Sequence, residues 1–75
     1  MVFEKIKKFL STQMNIDESI ITMDATFIED LNIDSLDLVE LILTLEDEFS
    51  IVIPEEDAES LVTVGDVVNY VNSHA

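Results

Sequence analysis

Cysteine is missing from the chain, so neither a disulfide framework nor a thiolate metal site can supplement the core. Any reactive sulfur the protein uses has to arrive on a prosthetic group. Positive charge is nearly missing as well: 3 Lys and Arg stand against 17 Asp and Glu, a formal net charge of −14. This balance makes nucleic acid and anionic membrane surfaces poor partners. It favours proteins with basic faces, which such a field draws in, while the mutual repulsion of the acids weakens the compact state. All three cations, Lys5, Lys7 and Lys8, lie at the N-terminal end, which leaves the rest of the chain almost unrelieved in its acidity. No apolar run approaches the roughly 20 residues of a membrane span, so no membrane insertion is expected. The opening Met1-Val2-Phe3-Glu4-Lys5 runs straight into an amphipathic pattern with no sign of a signal peptide, and the cytoplasm is the default location.

The 75 residues leave room for one small domain, residues 1–75, with one core. A hydrophobic content of 48% with clear periodicity argues against the disorder that such a charge otherwise allows. Val2, Phe3, Ile6, Phe9, Leu10 and Gln13 recur at three- and four-residue intervals, predicting a first helix over about residues 2–13 with these side chains on its buried face. From Asn15 to Asp34 the apolar residues lose their period, and Asp17, Asp24, Thr26 and Asp30 are turn or cap formers. A long ordered loop is expected there, pinned by its apolar side chains and holding one short helical turn after Asp24 or Thr26.

The second helix is the longest, from Ser35 to Phe49 or Ser50, and its start is chemically marked. Asp34 can accept from the free N–H groups of the first turn, and Asp37 adds a second carboxylate where the helix dipole favours one. Ser35 then falls at the first helical position with its hydroxyl at the positive end of a dipole, a place suited to an anionic group such as a phosphodiester. Ile51-Val52-Ile53 has strand-like composition but no strand to pair with, so a short connector with buried side chains is expected. Pro54 and the acids after it open a brief third helix over about 55–61. Thr63 caps a last helix whose Val64, Val67, Val68 and Val71 share one face. The sum is an all-α four-helix bundle with three longer helices, one short helix and a long first loop.

Around the second helix, at about 100° per residue, Leu38, Leu41, Ile42, Leu45 and Phe49 form the core face. Leu36 and Leu43 fall opposite, among Asp37, Glu40, Glu46 and Asp47. Exposed acids and single exposed leucines are each ordinary taken alone. Together they supply steering charge and a small apolar centre, the ingredients of a transient docking surface for a basic partner. The docking residues are accordingly Asp34, Leu36, Asp37, Glu40, Leu43, Glu46 and Asp47, with Glu55, Glu56, Asp57 and Glu59 as an extension.

Asp34-Ser35-Leu36 opening an acidic helix, Phe27-Ile28-Glu29-Asp30-Leu31 before it, Phe49-Ser50-Ile51-Val52-Ile53-Pro54 after it, and Thr63-Val64-Gly65-Asp66-Val67-Val68 with Tyr70-Val71 near the end resemble the acyl carrier proteins of bacterial type II fatty acid synthesis. The resemblance covers essentially the whole chain. It implies the four-helix arrangement of that family and 4′-phosphopantetheine attached covalently to Ser35. It also implies a phosphopantetheinyl transferase that uses coenzyme A as the loading partner, and fatty acid synthesis enzymes meeting the second helix. One departure is Asn32, where the family commonly has glycine; Asn is among the few other residues that tolerate a left-handed backbone.

Three other readings carry less. A catalytic Ser35 would need a base, and the only histidine, His74, lies one residue from the end, so no catalytic residue is assigned. Asp30-x-Asn32-x-Asp34 resembles the start of a calcium-binding loop, but Ser35 stands where a glycine is needed and Leu41 where a bidentate glutamate is needed, so no metal site is assigned. A purely acidic mimic would have no use for the Ser35 hydroxyl. The expected function is therefore a monomeric, non-enzymatic carrier of growing acyl chains as thioesters, with polyketide or specialised lipid assembly as the alternative pathway. Leu38, Ile42, Leu45, Ile53, Leu61 and Val67 are the branched residues expected to part around an acyl tail.

Overall fold

Four helices and one 3₁₀ turn follow one another in residues 2–74, the part of the chain that the computed structural model describes. Helix α1 is Val2–Gln13, α2 Ser35–Phe49, α3 Glu55–Ala58 and α4 Val64–His74; the 3₁₀ turn is Glu18–Ile20. Among the described residues there are no strands beyond a single antiparallel bridge between Thr26 and Thr63. The all-α bundle with three longer helices, one short helix and a long first loop is the expected architecture.

Each long helix buries one stripe. Ile6 and Leu10 of α1, Leu41 and Leu45 of α2, and Val64, Val67, Val68 and Val71 of α4 are buried, while Val2, Phe3, Phe9, Leu38, Ile42 and Phe49 pack against them half-buried. Gln13, expected on the inner face of α1, is exposed, because the stripe ends at Leu10 where the helix gives way to the loop. Valine is a middling helix former, so α4 depends on the burial of its four valines for much of its stability.

The connections contribute as many buried apolar side chains as the helices do. In the first loop Ile21, Ala25, Phe27, Leu31 and Ile33 point inward. Its backbone is also stitched to the start of α4: the Phe27 N–H donates to the Val62 carbonyl at 3.1 Å, Val64 to Ala25 at 3.0 Å and Gly65 to Met23 at 2.8 Å. Gly65 permits this approach, since a Cβ there would stand 2.9 Å from the Met23 carbonyl oxygen.

Two boundaries and one burial differ from expectation. The regular helical turn in the first loop lies at Glu18–Ile20, where Asp17 accepts the Ser19 N–H at 2.9 Å. After Thr26 the chain closes only a hydrogen-bonded turn, with the Asp30 and Leu31 N–H groups both reaching the Thr26 carbonyl. The third helix stops at Ala58 and continues as a turn through Ser60, since Leu61 has to leave the helical path to enter the core. In the connector before it Ile51 and Ile53 are buried but Val52 is 77% exposed, because an extended backbone alternates its side chains.

Helix α4 starts on a reciprocal box. Thr63 Oγ1 accepts the Asp66 N–H at 3.1 Å, and Asp66 Oδ2 accepts the N–H groups of Thr63 and Val62, each at 3.0 Å. These donors, Thr63 first and then Val62, hold the Asp66 carboxyl below the ordinary aspartate range. A carboxyl depressed in the folded state contributes stability that is present above its unfolded pKa and is lost as pH falls through its lower folded pKa. In urea titrations, the stability advantage of the native chain over Asp66→Asn is therefore expected to be constant above about pH 5 and to shrink progressively below about pH 4.

Candidate functional site at the start of the second helix

Three successive residues place Ser35. Asn32 is left-handed, with φ 57°, as its tolerance for that region allows. The chain thereby turns so that Ile33 enters the core, its N–H donating to the Phe27 carbonyl at 2.8 Å, and Asp34 emerges. Asp34 is extended and caps α2, its Oδ1 accepting the Leu36 N–H at 3.2 Å. Ser35 follows as the first helical residue, exposed, with its Oγ donating to Asp34 Oδ1 over a long 3.4 Å.

The loop behind this corner is fixed by a second box, in which Asp30 Oδ2 accepts the Thr26 N–H at 2.9 Å and Thr26 Oγ1 accepts the Asp30 N–H at 3.1 Å. Asp30 and Asp34, the first and last positions of the calcium-like triplet, thus each turn a carboxylate oxygen to a backbone N–H. Among the described residues no protein acceptor takes the N–H groups of Ser35 and Asp37. Two open donors and the positive end of a 15-residue helix lie beside the Ser35 hydroxyl.

Along α2 the outward residues fall as their spacing predicts: Leu36 is 76% and Leu43 59% exposed, and Asp34, Asp37, Glu40 and Asp47 are exposed. Val39, 54% exposed, belongs with the two leucines, a point the sequence reading missed. Its place three residues after Leu36 and four before Leu43 was signal enough. Glu46 differs from the other acids. It is half-buried, and its Oε2 accepts the Ile53 N–H at 2.8 Å, so it pins the connector as well as bordering the face. Of the suggested extension, Glu55 and Glu56 are exposed on α3, Asp57 is bonded to Tyr70, and Glu59 lies just past the helix end.

The residues expected to line a single tail-binding interior are not all brought together. Leu38 and Leu61 line a cleft of about 400 Å³ with Phe27, Ile28, Ala58 and Val62. Leu45 instead lines a separate groove of about 330 Å³ between α1 and α2, with Phe9 and Phe49.

The phosphopantetheine attachment site family matches residues 4–71. The acyl carrier protein of Clostridium acetobutylicum is 54% identical over 74 residues, which span 99% of this chain and 96% of that protein. The acyl carrier protein of Clostridium perfringens is 51% identical over 73 residues, 97% of this chain and 96% of its own length. The chain belongs to the acyl carrier protein family.

The resemblance read from the helix start and its flanks therefore holds across the chain, and the prosthetic group of the family is a covalently bound 4′-phosphopantetheine. An acyl carrier protein without cysteine obtains its thiol from that group. The cap of the corner that presents the helix start can be tested separately from its charge. Asp34→Ala should be less stable than Asp34→Asn by about 1 kcal/mol in urea unfolding followed by circular dichroism. Both variants remove one negative charge, and only Asn keeps an acceptor for the Leu36 N–H.

Proposed function

We propose that the Ser35 Oγ is the atom to which 4′-phosphopantetheine is joined, and that the chain carries acyl groups for fatty acid synthesis enzymes. The observation that carries this reading is the exposed hydroxyl on the first residue of α2, beside open N–H donors. The residues present fit the group: a phosphodiester brings negative charge, and the helix N-terminus offers dipole and donors to it. Loading requires a transferase with coenzyme A. The Ser35 hydroxyl gives up its proton, a new oxygen–phosphorus bond forms at Oγ, and the adenosine bisphosphate portion of coenzyme A leaves. Once bound, the arm supplies a terminal thiol that holds acyl groups as thioesters.

The protein's own work is binding and presentation, not catalysis. It acts as a single carrier domain, monomeric and cytoplasmic; among the described residues no helix is long and apolar enough to cross a membrane. Tethering raises the concentration of the cargo at each docked enzyme. The docking face is α2: Leu36, Val39 and Leu43 give contact area, while Asp34, Asp37, Glu40 and Asp47 attract a basic partner, with Glu46 at the border. An acyl tail shelters in the cleft between α2 and α3 lined by Leu38 and Leu61.

Incubation with coenzyme A and a phosphopantetheinyl transferase should raise the mass of the native chain by one arm and leave Ser35→Ala unchanged. A native chain that gains nothing would end the carrier reading. On the docking face, Leu43→Arg and Glu40→Arg should leave the unfolding midpoint nearly unmoved, since both residues are exposed. Each should lower a partner enzyme's kcat/KM for the loaded carrier about tenfold; unchanged kcat/KM in both variants places the face elsewhere.

A further inference from the structure

Helix α3 is the least anchored of the four helices. It has four residues, no buried side chain and no side-chain cap at Pro54. Both of its flanks are pinned by carboxylates: upstream Glu46 holds the Ile53 N–H, and downstream Asp66 holds the N–H groups of Val62 and Thr63. Between these pins, among the described residues, one side-chain hydrogen bond ties α3 to another helix. Tyr70 Oη on α4 donates to Asp57 Oδ2 at 2.8 Å in a partly buried setting.

The donor is itself held in place. The Tyr70 ring stacks on His74 with centroids 3.9 Å apart and planes 11° from parallel, and the His74 Nδ1–H donates to the Tyr70 carbonyl at 2.8 Å. Partial burial, the bond to Asp57 and the charges of Asp57 and Glu46 push the Tyr70 phenol above its ordinary range, so it keeps its proton throughout the neutral region. Ala58, the next residue after Asp57, forms part of the wall of the cleft that contains Leu38 and Leu61.

We infer that the Tyr70–Asp57 hydrogen bond is a latch that holds α3 at the wall of the cleft and is given up when an acyl tail wedges that wall apart. The inference rests on the proposed carriage of acyl chains between α2 and α3. Ala58 and Leu38 share the wall of that cleft, so a tail wedged between them displaces Ala58, and with it the Asp57 carboxylate. Because Ile53 and Val62 stay fixed, the movement is confined to residues 54–61. The latch therefore stabilises the empty protein and contributes nothing to the filled one, which sets how readily cargo is withdrawn from solvent.

Tyr70→Phe keeps the ring and the His74 stack and removes only the hydroxyl. In the apo chain, amide hydrogen exchange at Ala58, Glu59, Ser60 and Leu61 should quicken about fivefold in the variant. Exchange there at the native rate overturns the latch, and this arm stands whether or not Ser35 accepts a prosthetic group. In the second arm, octanoyl-phosphopantetheine is transferred from octanoyl coenzyme A to both chains. The rise in Tm on loading should be larger in Tyr70→Phe by about 2 °C or more, because only the native chain surrenders a bond to its cargo. Equal rises in the two chains overturn the proposal, since a merely structural bond would survive loading. A failure of both chains to accept the arm removes the carrier reading, and the apo exchange then decides the latch alone.

Discussion

With three lysines to answer seventeen carboxylates, the charge of this chain has to be met by something other than ion pairs, and the structure meets it with its own backbone. Among the described residues the single salt bridge joins Lys5 to Glu48 at 3.2 Å on the surface, where such a pair is worth little. Asp17, Asp30, Asp34, Glu46 and Asp66 instead each accept a backbone N–H. A carboxylate bonded to an N–H is a charge-assisted contact. It also satisfies donors that loops and helix starts would otherwise leave open. The same residues that make the protein strongly acidic therefore fix its corners.

The arrangement divides the acids into two populations. Those at helix starts and connectors are spent on the fold, and each sits where the chain changes direction. The side-chain carboxylates of Asp37, Glu40 and Asp47 on the outer face of α2 form no hydrogen bond or ion pair among the described residues, so their charge projects into solvent. Glu46 belongs to both groups, with one oxygen on Ile53 and the residue at the edge of the face. Asp34 does too: it caps the corner that presents Ser35 and borders the outer face, so the hydroxyl is held by local backbone geometry at the edge of that face.

Much of this was legible because the decisive signals are local. The limits of α1 and α2, the Asp34 cap, the Thr63 cap and the left-handed turn at Asn32 each follow from a few neighbouring residues whose preferences agree. The outward placement of Leu36 and Leu43 follows from helical spacing alone. What escaped depends on distant partners. Nothing near Val52 says that Ile51 and Ile53 have core sites waiting and that it has none, and nothing near Asp57 announces a tyrosine thirteen residues on. The third helix ends sooner than expected for the same reason: its composition allows another turn, but Leu61 is claimed by the core. The 3₁₀ turn went to Glu18–Ile20 because several aspartates in the loop were equally good cap formers, and tertiary pinning at Ile21 chose among them.

The unpaired charge on α2 ties the proposed docking face to folding. Seventeen carboxylates on a small domain repel one another, and this repulsion is a standing penalty on the compact state that burial of the apolar core has to exceed. A partner presenting lysines and arginines to Asp37, Glu40 and Asp47 relieves part of the penalty, and anything that binds the folded form alone stabilises it by mass action. The repulsion is smallest when a basic surface is opposite. On the proposed docking face the folded state would therefore be firmest while a basic partner is bound and most strained between encounters. Brief association follows from the same balance: contacts made largely through exposed charge form quickly and are screened within about a nanometre at physiological salt. On that proposed face the exposed Leu36, Val39 and Leu43 would add the area that orients a partner without holding it.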